Sequence, residues 1–120
     1  MNSIFERVFN TLGPGFTECV YHKAVEVEFR RCGIPYDSEV IVPITYENHI
    51  VGHVRCDIVL TDCVIEFKSV AKLNEDHRQQ LRNYLKLLNK DSGLLVNFGT
   101  MLSVEEISHP TESDDHLNPV

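Results

Sequence analysis

Two acidic residues and a lysine form the pattern in this chain that most suggests chemistry. The segment Ile65-Glu66-Phe67-Lys68 lies in a stretch rich in Val and Ile, which predicts a β-strand. Successive side chains of a strand point to opposite faces, so Glu66 and Lys68 share one face while Ile65 and Phe67 share the other. A solvated strand face often has the same composition, so this segment alone leaves both interpretations open.

Asp57 adds a second carboxylate to this pattern. If Thr61-Asp62 forms a two-residue turn between antiparallel strands, Asp57 faces Glu66 across the hairpin. The same register places Arg55 opposite Lys68. Two carboxylates ~4 Å apart at an effective dielectric of 20 repel by on the order of 4 kcal/mol. A hard divalent cation such as Mg²⁺ between them would remove this cost, and a raised pKa or an outward splay of the pair would also do so.

The hydrophobic periodicity predicts an element order of two helices, three strands, a helix and a strand. The predicted helices cover residues 3–12, 16–32 and 73–89, and the strands cover 39–47, 50–60, 63–70 and 93–98, with 104–107 as a further candidate. The second helix is predicted to bury Val20, Ala24 and Val27. This order indicates a single α/β or α+β domain over residues 1–108, followed by an acidic, flexible tail over 109–120.

Three of these elements carry residues that resemble known nuclease motifs. Asp57 followed by Glu66-x-Lys68 resembles the signature of the PD-(D/E)XK nuclease superfamily, although Cys56 stands where that signature has a proline. Gln80-x-x-x-Tyr84 in the third predicted helix resembles the Gln-x-x-x-Tyr motif of the RecB-like branch.

The second predicted helix adds a more specific resemblance. Gly15-x-x-Glu18-x-x-Tyr21 resembles the motif for which the GxxExxY proteins are named. The pattern of that family also includes His77 and the run Gly-Leu-Leu-Val-Asn-Phe-Gly at 93–99. The resemblance extends over about residues 4–99, and it implies supporting roles for Gly15, Tyr21 and His77.

The resemblance implies an αβββαβ core in which a central mixed sheet is flanked by helices. It also implies that one or two Mg²⁺ or Mn²⁺ ions are held by Glu18, Asp57, Glu66 and the main-chain carbonyl of Phe67. Lys68 would orient or help to deprotonate the attacking water, and Gln80 would position that water or Lys68. Tyr84 would support these groups or contact DNA.

Charge is distributed unevenly along the chain. The net charge is −7, but all 11 Lys and Arg residues lie at or before Lys90, and the last sixteen residues carry five acidic side chains. Arg78, Arg82 and Lys86 recur every four residues on one flank of the third predicted helix. They form either a nucleic-acid-binding strip or a solvated helix face, so the negative net charge does not exclude a phosphate-rich partner.

Other features narrow the class of protein further. The four cysteines lack a Cys-x-x-Cys pair, which disfavours a zinc or iron–sulfur site, and we expect them to be reduced and mostly in the core. No apolar run approaches the ~18 residues of a membrane span. No signal-peptide pattern is present at the N-terminus. We therefore expect an intracellular protein, either cytoplasmic or, in a eukaryotic or viral context, nuclear.

Together these patterns predict a metal-dependent nuclease that hydrolyses phosphodiester bonds of DNA, with RNA as the other possible substrate. The alternatives are a catalytically inactive nuclease-fold module for nucleic-acid binding or complex assembly, and an interaction protein whose acidic tail docks on a basic partner. A domain of this size has little surface for reading sequence, so we expect weak sequence preference, a homodimer or a delivery partner.

Overall fold

The computed structural model describes residues 1–108, and the predicted tail at 109–120 lies outside this range. The helices are α1 (Asn2–Leu12), α2 (Glu18–Arg31) and α3 (Glu75–Leu88), and the strands are β1 (Asp37–Tyr46), β2 (His49–Val59), β3 (Val64–Lys68), β4 (Ser92–Phe98) and β5 (Leu102–Ser108). The predicted α+β class and element order are confirmed. Within residues 1–108, no helix has both the length and the apolar character needed to cross a membrane.

The five strands form one mixed sheet in the order β1-β2-β3-β4-β5. β3 and β4 pair in parallel, and every other neighbouring pair is antiparallel. The parallel pair needs a crossover connection, which α3 supplies. β5 extends the candidate strand at 104–107 and pairs with β4 along its whole length. The sheet therefore places β3 at its centre, between β2 and β4.

The side chains of β3 alternate between two apolar faces of the sheet. Helices α1 and α2 cover one face, and α3 covers the other. Ile65 and Phe67 pack with buried residues of α1 and α2 on one face. Val64 packs on the other face with Leu81 and Leu85 of α3. Glu66 also points to the α3 face, where it is a buried polar residue.

The buried stripe of α2 differs from the prediction. Tyr21, Val25 and Phe29 are buried at helical spacing, and Ala24 packs half-buried beside them. Val20 and Val27 are exposed, so the prediction is wrong for the two valines. The aromatic residues bury more apolar area than the valines would, and this determines which side of the helix faces the sheet. Tyr21 also stacks on Phe98, with ring centroids 4.4 Å apart.

The start of α3 is fixed by a reciprocal cap. The Asn74 side chain accepts a hydrogen bond from the His77 main-chain N–H at 3.0 Å, and the Asn74 N–H donates to His77 Nδ1 at 3.1 Å. Two of the free N–H groups at the helix start are thereby satisfied. The helix ends at Asn89, whose φ of 55° is left-handed. These two ends set the position of α3 against β3 and β4.

The inward and outward alternation of β2 changes phase at Asp57. Ile58 belongs to the core beneath α1 and α2, whereas Cys56, two residues earlier, belongs to the core beneath α3. The neighbouring strand is irregular at the same level, because Glu39 has a φ of 53° and does not pair with Asp57 in the ladder. Both strands therefore cross from one core to the other at this level.

The cysteines are less buried than predicted. Cys56 is buried and Cys63 is half-buried, but Cys19 and Cys32 are exposed. The two exposed cysteines belong to the first turn and the end of α2, away from the stripe that faces the sheet. The expectation that most of the cysteines lie in the core is therefore wrong.

Candidate active site

β2 and β3 are joined by a tight turn and pair over a short distance. The Leu60 N–H donates to the Cys63 carbonyl at 2.7 Å and closes the turn. The ladder continues through Ile58 and Ile65 and then stops. This is the register expected from a two-residue turn, which is confirmed.

Beyond that point Asp57 and Glu66 join the two strands through their side chains. Glu66 Oε1 accepts a hydrogen bond from the Asp57 main-chain N–H at 2.9 Å. Asp57 Oδ2 accepts one from the Phe67 main-chain N–H, also at 2.9 Å. The carboxylates thus take the place of the main-chain carbonyls that a continuing ladder would supply. Each carboxylate uses one oxygen in this way.

The expected pairing of Arg55 with Lys68 is wrong, because the β2–β3 ladder has ended before that level. Arg55 instead pairs with Ile41 of β1, and its guanidinium lies 3.5 Å from Glu39 Oε1. Lys68 pairs with Asn97 of β4.

Glu66 carries the electrostatic cost of this arrangement. Burial raises its pKa from 4.5 to about 8, and the negative charge of Asp57 adds to the rise. The Asp57 N–H and the Lys68 ammonium oppose the rise, and Glu18 contributes a small further increase. The predicted conflict between facing carboxylates is therefore present, and in the metal-free protein a bound proton relieves it.

Lys68 is held by a residue from α3. Its Nζ donates a hydrogen bond to Gln80 Oε1 at 3.2 Å. Glu66 and Lys68 are two residues apart on β3 and both face α3. The Lys68 ammonium therefore lies on the same side of the sheet as the Glu66 carboxylate. The amide of Gln80 thereby fixes the position of a cation beside the two carboxylates.

The motif around Glu18 builds the turn that starts α2. Gly15 has a φ of 106°, which favours glycine. The Tyr21 hydroxyl donates to the Gly13 carbonyl at 2.6 Å and accepts from the Phe16 N–H at 3.2 Å. Gly15 and Tyr21 thus shape the loop that places Glu18 as the first residue of the helix.

The same loop is joined to the end of β3. The hydroxyl of Ser69, which follows Lys68, lies 2.7 Å from the Phe16 carbonyl and 3.3 Å from the Phe98 carbonyl, and can donate to either. The start of α2 is therefore held directly beside the strand that carries Glu66.

Glu18 and Asp57 line a common cavity of about 250 Å³. Its other lining residues come from α2, β1 and β2: Cys19, His22, Lys23, Glu39 and Arg55. The sequence reasoning missed His22, Lys23 and Glu39 as residues of the site. His22 and Lys23 follow Glu18 by about one helical turn, which is the one signal that could have identified them.

His22 is held in a buried polar network. Its Nε2 lies 2.9 Å from Glu26 Oε2 and 3.0 Å from Ser38 Oγ, and the Ser38 hydroxyl donates to the same Glu26 oxygen at 2.7 Å. Its ring also packs 5.3 Å from that of Phe67. This network joins α2 to β1 beneath the cavity, so it fixes the cavity wall.

The donor set at Asp57 and Glu66 fits a hard divalent cation. Each carboxylate has one oxygen on a main-chain N–H, and its second oxygen has no hydrogen bond within residues 1–108. Oxygen donors of this kind are the ones that Mg²⁺ prefers. In the described part of the chain, however, no three acidic, His or Cys side chains are grouped closely enough to hold a metal. The structure thus places Glu18 at the cavity without bringing it into a three-carboxylate cluster.

Two of the predicted nucleic-acid-binding residues are paired with acidic side chains. Arg78 makes a two-pronged contact with Glu105, with Nε–Oε1 at 2.7 Å and Nη2–Oε2 at 3.0 Å, and its Nη1 lies 3.6 Å from Glu75. Arg82 contacts Glu75. Lys86 is exposed and has no ion pair within the described residues. The predicted strip on α3 is therefore largely neutralised by acidic neighbours.

Tyr84 and His77 support α3 and do not line the cavity at Asp57. Tyr84 is buried in the core beneath α3, and burial together with the charge of Glu66 raises the pKa of its phenol to about 12. His77 caps the start of α3 through its main-chain N–H and its ring nitrogen. Each supports α3, which carries Gln80 to Lys68.

Residues 1–109 match a family model described as the PD-(D/E)XK nuclease superfamily. No curated protein matches the chain. Among solved structures, the protein SSO0001 has a similar fold, with a TM-score of 0.63 and 21% sequence identity. The similarity covers 82% of this chain and 53% of SSO0001, so the chain spans about half the length of that protein.

Proposed function

Because the chain belongs to the PD-(D/E)XK nuclease superfamily, we propose that it hydrolyses phosphodiester bonds of DNA with the help of a divalent cation. The observation that carries this proposal is the Asp57–Glu66 pair, in which each carboxylate is fixed by a main-chain N–H and keeps one oxygen for a ligand. Lys68 lies on the same face as Glu66 and supplies the positive charge that a phosphate requires.

Asp57 and Glu66 would hold Mg²⁺ or Mn²⁺, with the main-chain carbonyl of Phe67 as a further ligand. The N–H and C=O of one strand residue point to the same side. Since the Phe67 N–H points to Asp57, its carbonyl also points toward the gap between β2 and β3. When bound, the cation makes water more acidic and offsets the charge of the phosphate. Glu18 would add a third carboxylate from across the cavity.

The remaining roles belong to side chains on the α3 face. Lys68 would bind a phosphate oxygen and orient the attacking water, and Gln80 would keep the ammonium in position through their hydrogen bond. Ionisation of Glu66 is needed for cation binding, and the proton it holds in the metal-free state must leave first. The phenol of Tyr84, whose pKa is about 12, would stay protonated beside these groups.

Within the superfamily we assign the chain to the GxxExxY proteins of the RecB-like branch. The φ of Gly15, the hydrogen bonds of Tyr21 to the loop and the contact of Lys68 with Gln80 give Gly15, Tyr21 and Gln80 of these motifs a physical role. The alternative is an inactive nuclease-fold module for nucleic-acid binding or complex assembly. Asp57 and Glu66 each join β2 to β3 through a hydrogen bond, and this structural role would be kept in such a module.

A cleavage assay separates the two functions. End-labelled single-stranded DNA, double-stranded DNA and RNA would be incubated with the full chain in Mg²⁺, Mn²⁺ or EDTA. The site variants would be Glu66→Gln and Lys68→Ala, with Glu6→Gln and Lys90→Ala as matched controls outside the cavity. Lys90 donates to the Thr61 carbonyl, at the turn end of the β2–β3 hairpin. Circular dichroism would show that every variant folds.

We expect cation-dependent cleavage of DNA that both site variants lose and both controls keep. Metal binding at 100 times its dissociation constant would in addition stabilise the wild type by ~2.7 kcal/mol. Absence of cleavage together with an unchanged melting temperature in Mn²⁺ would contradict the nuclease function and support the inactive module.

A further inference from the structure

We propose that Lys23 and Arg55 bind the sugar-phosphate backbone of the nucleic-acid substrate beside the cleaved bond, so that the strand runs across α2 and the β1–β2 hairpin. This inference rests on the proposed function and adds the path of the substrate to it. This path differs from the one along α3 that the sequence offers as one of two interpretations of its basic residues. The evidence for it is the lining of the cavity and the contacts of the basic residues.

Both residues lie at the site itself. Arg55 precedes Asp57 by two residues on β2, and Lys23 lies on α2, which begins at Glu18. All four residues line the same cavity of about 250 Å³. A phosphate bound beside Asp57 therefore has the ammonium of Lys23 and the guanidinium of Arg55 on the surrounding walls.

These two cations are also available for a ligand. The contact of Arg55 with Glu39 is a single long one of 3.5 Å between side chains that are 63% and 50% exposed. Exposed pairs of this kind hold their charges weakly. Lys23 is exposed and has no ion pair within residues 1–108. Arg78, by contrast, is engaged by both oxygens of Glu105.

The chemistry of the cavity requires such cations. Glu18, Glu39 and Asp57 place three carboxylates on its wall, and a phosphate backbone is itself a line of negative charges. One divalent ion offsets charge at the cleaved phosphate only. Contacts from Lys and Arg to the neighbouring phosphates position a strand without reading its sequence, and this suits a small domain with little additional surface.

Salt-dependent binding tests the inference. Fluorescence anisotropy would follow a labelled single-stranded DNA oligonucleotide in EDTA, with the Asp57→Asn/Glu66→Gln double variant as background. This background replaces both proposed cation ligands with amides and prevents cleavage. Lys23→Gln/Arg55→Gln would be compared with Arg31→Gln/Lys90→Gln, which removes the same two residue types at the opposite end of the domain. A third pair, Arg82→Gln/Lys86→Gln, tests the path along α3.

We expect Lys23→Gln/Arg55→Gln to weaken binding about tenfold at low salt and to reduce the slope of log Kd against log salt by ~1.4, which corresponds to two single-strand phosphate contacts. Arg31→Gln/Lys90→Gln should retain the slope of the background. A slope unchanged by Lys23→Gln/Arg55→Gln, or a loss seen only with Arg82→Gln/Lys86→Gln, would overturn the inference. If the wild type neither cleaves nor binds any nucleic acid, the proposed function itself fails.

Discussion

The side chain of Glu66 accepts a hydrogen bond from the main-chain N–H of Asp57 at 2.9 Å, across the gap where β2 and β3 cease to pair. Asp57 returns the contact through the Phe67 N–H. The two carboxylates proposed to bind a cation therefore also hold β2 and β3 together where the main-chain hydrogen bonds end. This double role determines how the protein should respond to pH and to substitution.

The stability of the metal-free protein should fall as pH rises between about 4.5 and 8. In this window Glu66 stays protonated in the folded chain, because its pKa is raised to about 8, and is ionised in the unfolded chain. The folded state then binds more protons, so raising the pH favours unfolding. Urea denaturation in EDTA at several pH values measures the effect. In the Glu66→Gln variant the free energy of unfolding should depend less on pH. An equally steep dependence in this variant would show that other groups cause the effect.

The two simplest substitutions of Asp57 should differ in stability. Asp57→Asn keeps an oxygen that accepts the Phe67 N–H, whereas Asp57→Ala leaves that buried N–H without a partner. An unsatisfied buried donor costs about 1–3 kcal/mol. Chemical denaturation should therefore find the alanine variant less stable by that amount, while both variants lose stabilisation by Mn²⁺. Equal stabilities would show that the hydrogen bond contributes little.

Gln80→Ala should reduce cleavage about 10–100-fold, as is typical when a group that orients a catalytic residue is removed. The amide of Gln80 holds the Lys68 ammonium at 3.2 Å and does not itself bear charge. The loss should appear in kcat more than in KM. Gln79→Ala is the matched control, because the Gln79 amide contacts Asn83 on the exposed side of the same helix. A comparable loss in both variants would indicate a general effect on α3.

Tyr21→Phe should destabilise the fold by about 1 kcal/mol. The ring stacking on Phe98 is retained, but the hydroxyl contacts with the Gly13 carbonyl and the Phe16 N–H are lost. Amide hydrogen exchange at Phe16 should accelerate, because its partner is gone. Tyr46→Phe provides the control, since Tyr46 is 71% exposed. Unchanged exchange at Phe16 would show that the loop is held by other contacts.

Local patterns in the sequence predicted much of the fold. The period of apolar residues gave the helices and strands, and the turn at Thr61-Asp62 gave the register that brings Asp57 to Glu66. The burial of Val20 and Val27 was predicted wrongly. Tyr21 and Phe29 bury more apolar area than the valines only when they pack against the sheet, and the sequence of α2 alone does not show where the sheet lies.

Other features depend on residues that are distant in the chain. Arg78 meets Glu105 only after β5 has paired beside β4, and the change of phase at Asp57 needs the matching irregularity at Glu39. No pattern within one segment encodes such contacts. For the same reason the sequence leaves open whether the basic residues on α3 bind nucleic acid, and it does not reveal the network of His22.

The exchange of hydrogen bonds between β2 and β3 has a consequence for how such chains diverge. Asp57 and Glu66 fasten two neighbouring strands even when no ion is bound. If the proposed nuclease activity were lost in a descendant of this chain, both acidic side chains would still be needed to hold the two strands together. The contact between Lys68 and Gln80 joins no two strands of the sheet, so these residues could be substituted more freely. In such a descendant we expect Lys68 and Gln80 to be lost before Asp57 and Glu66.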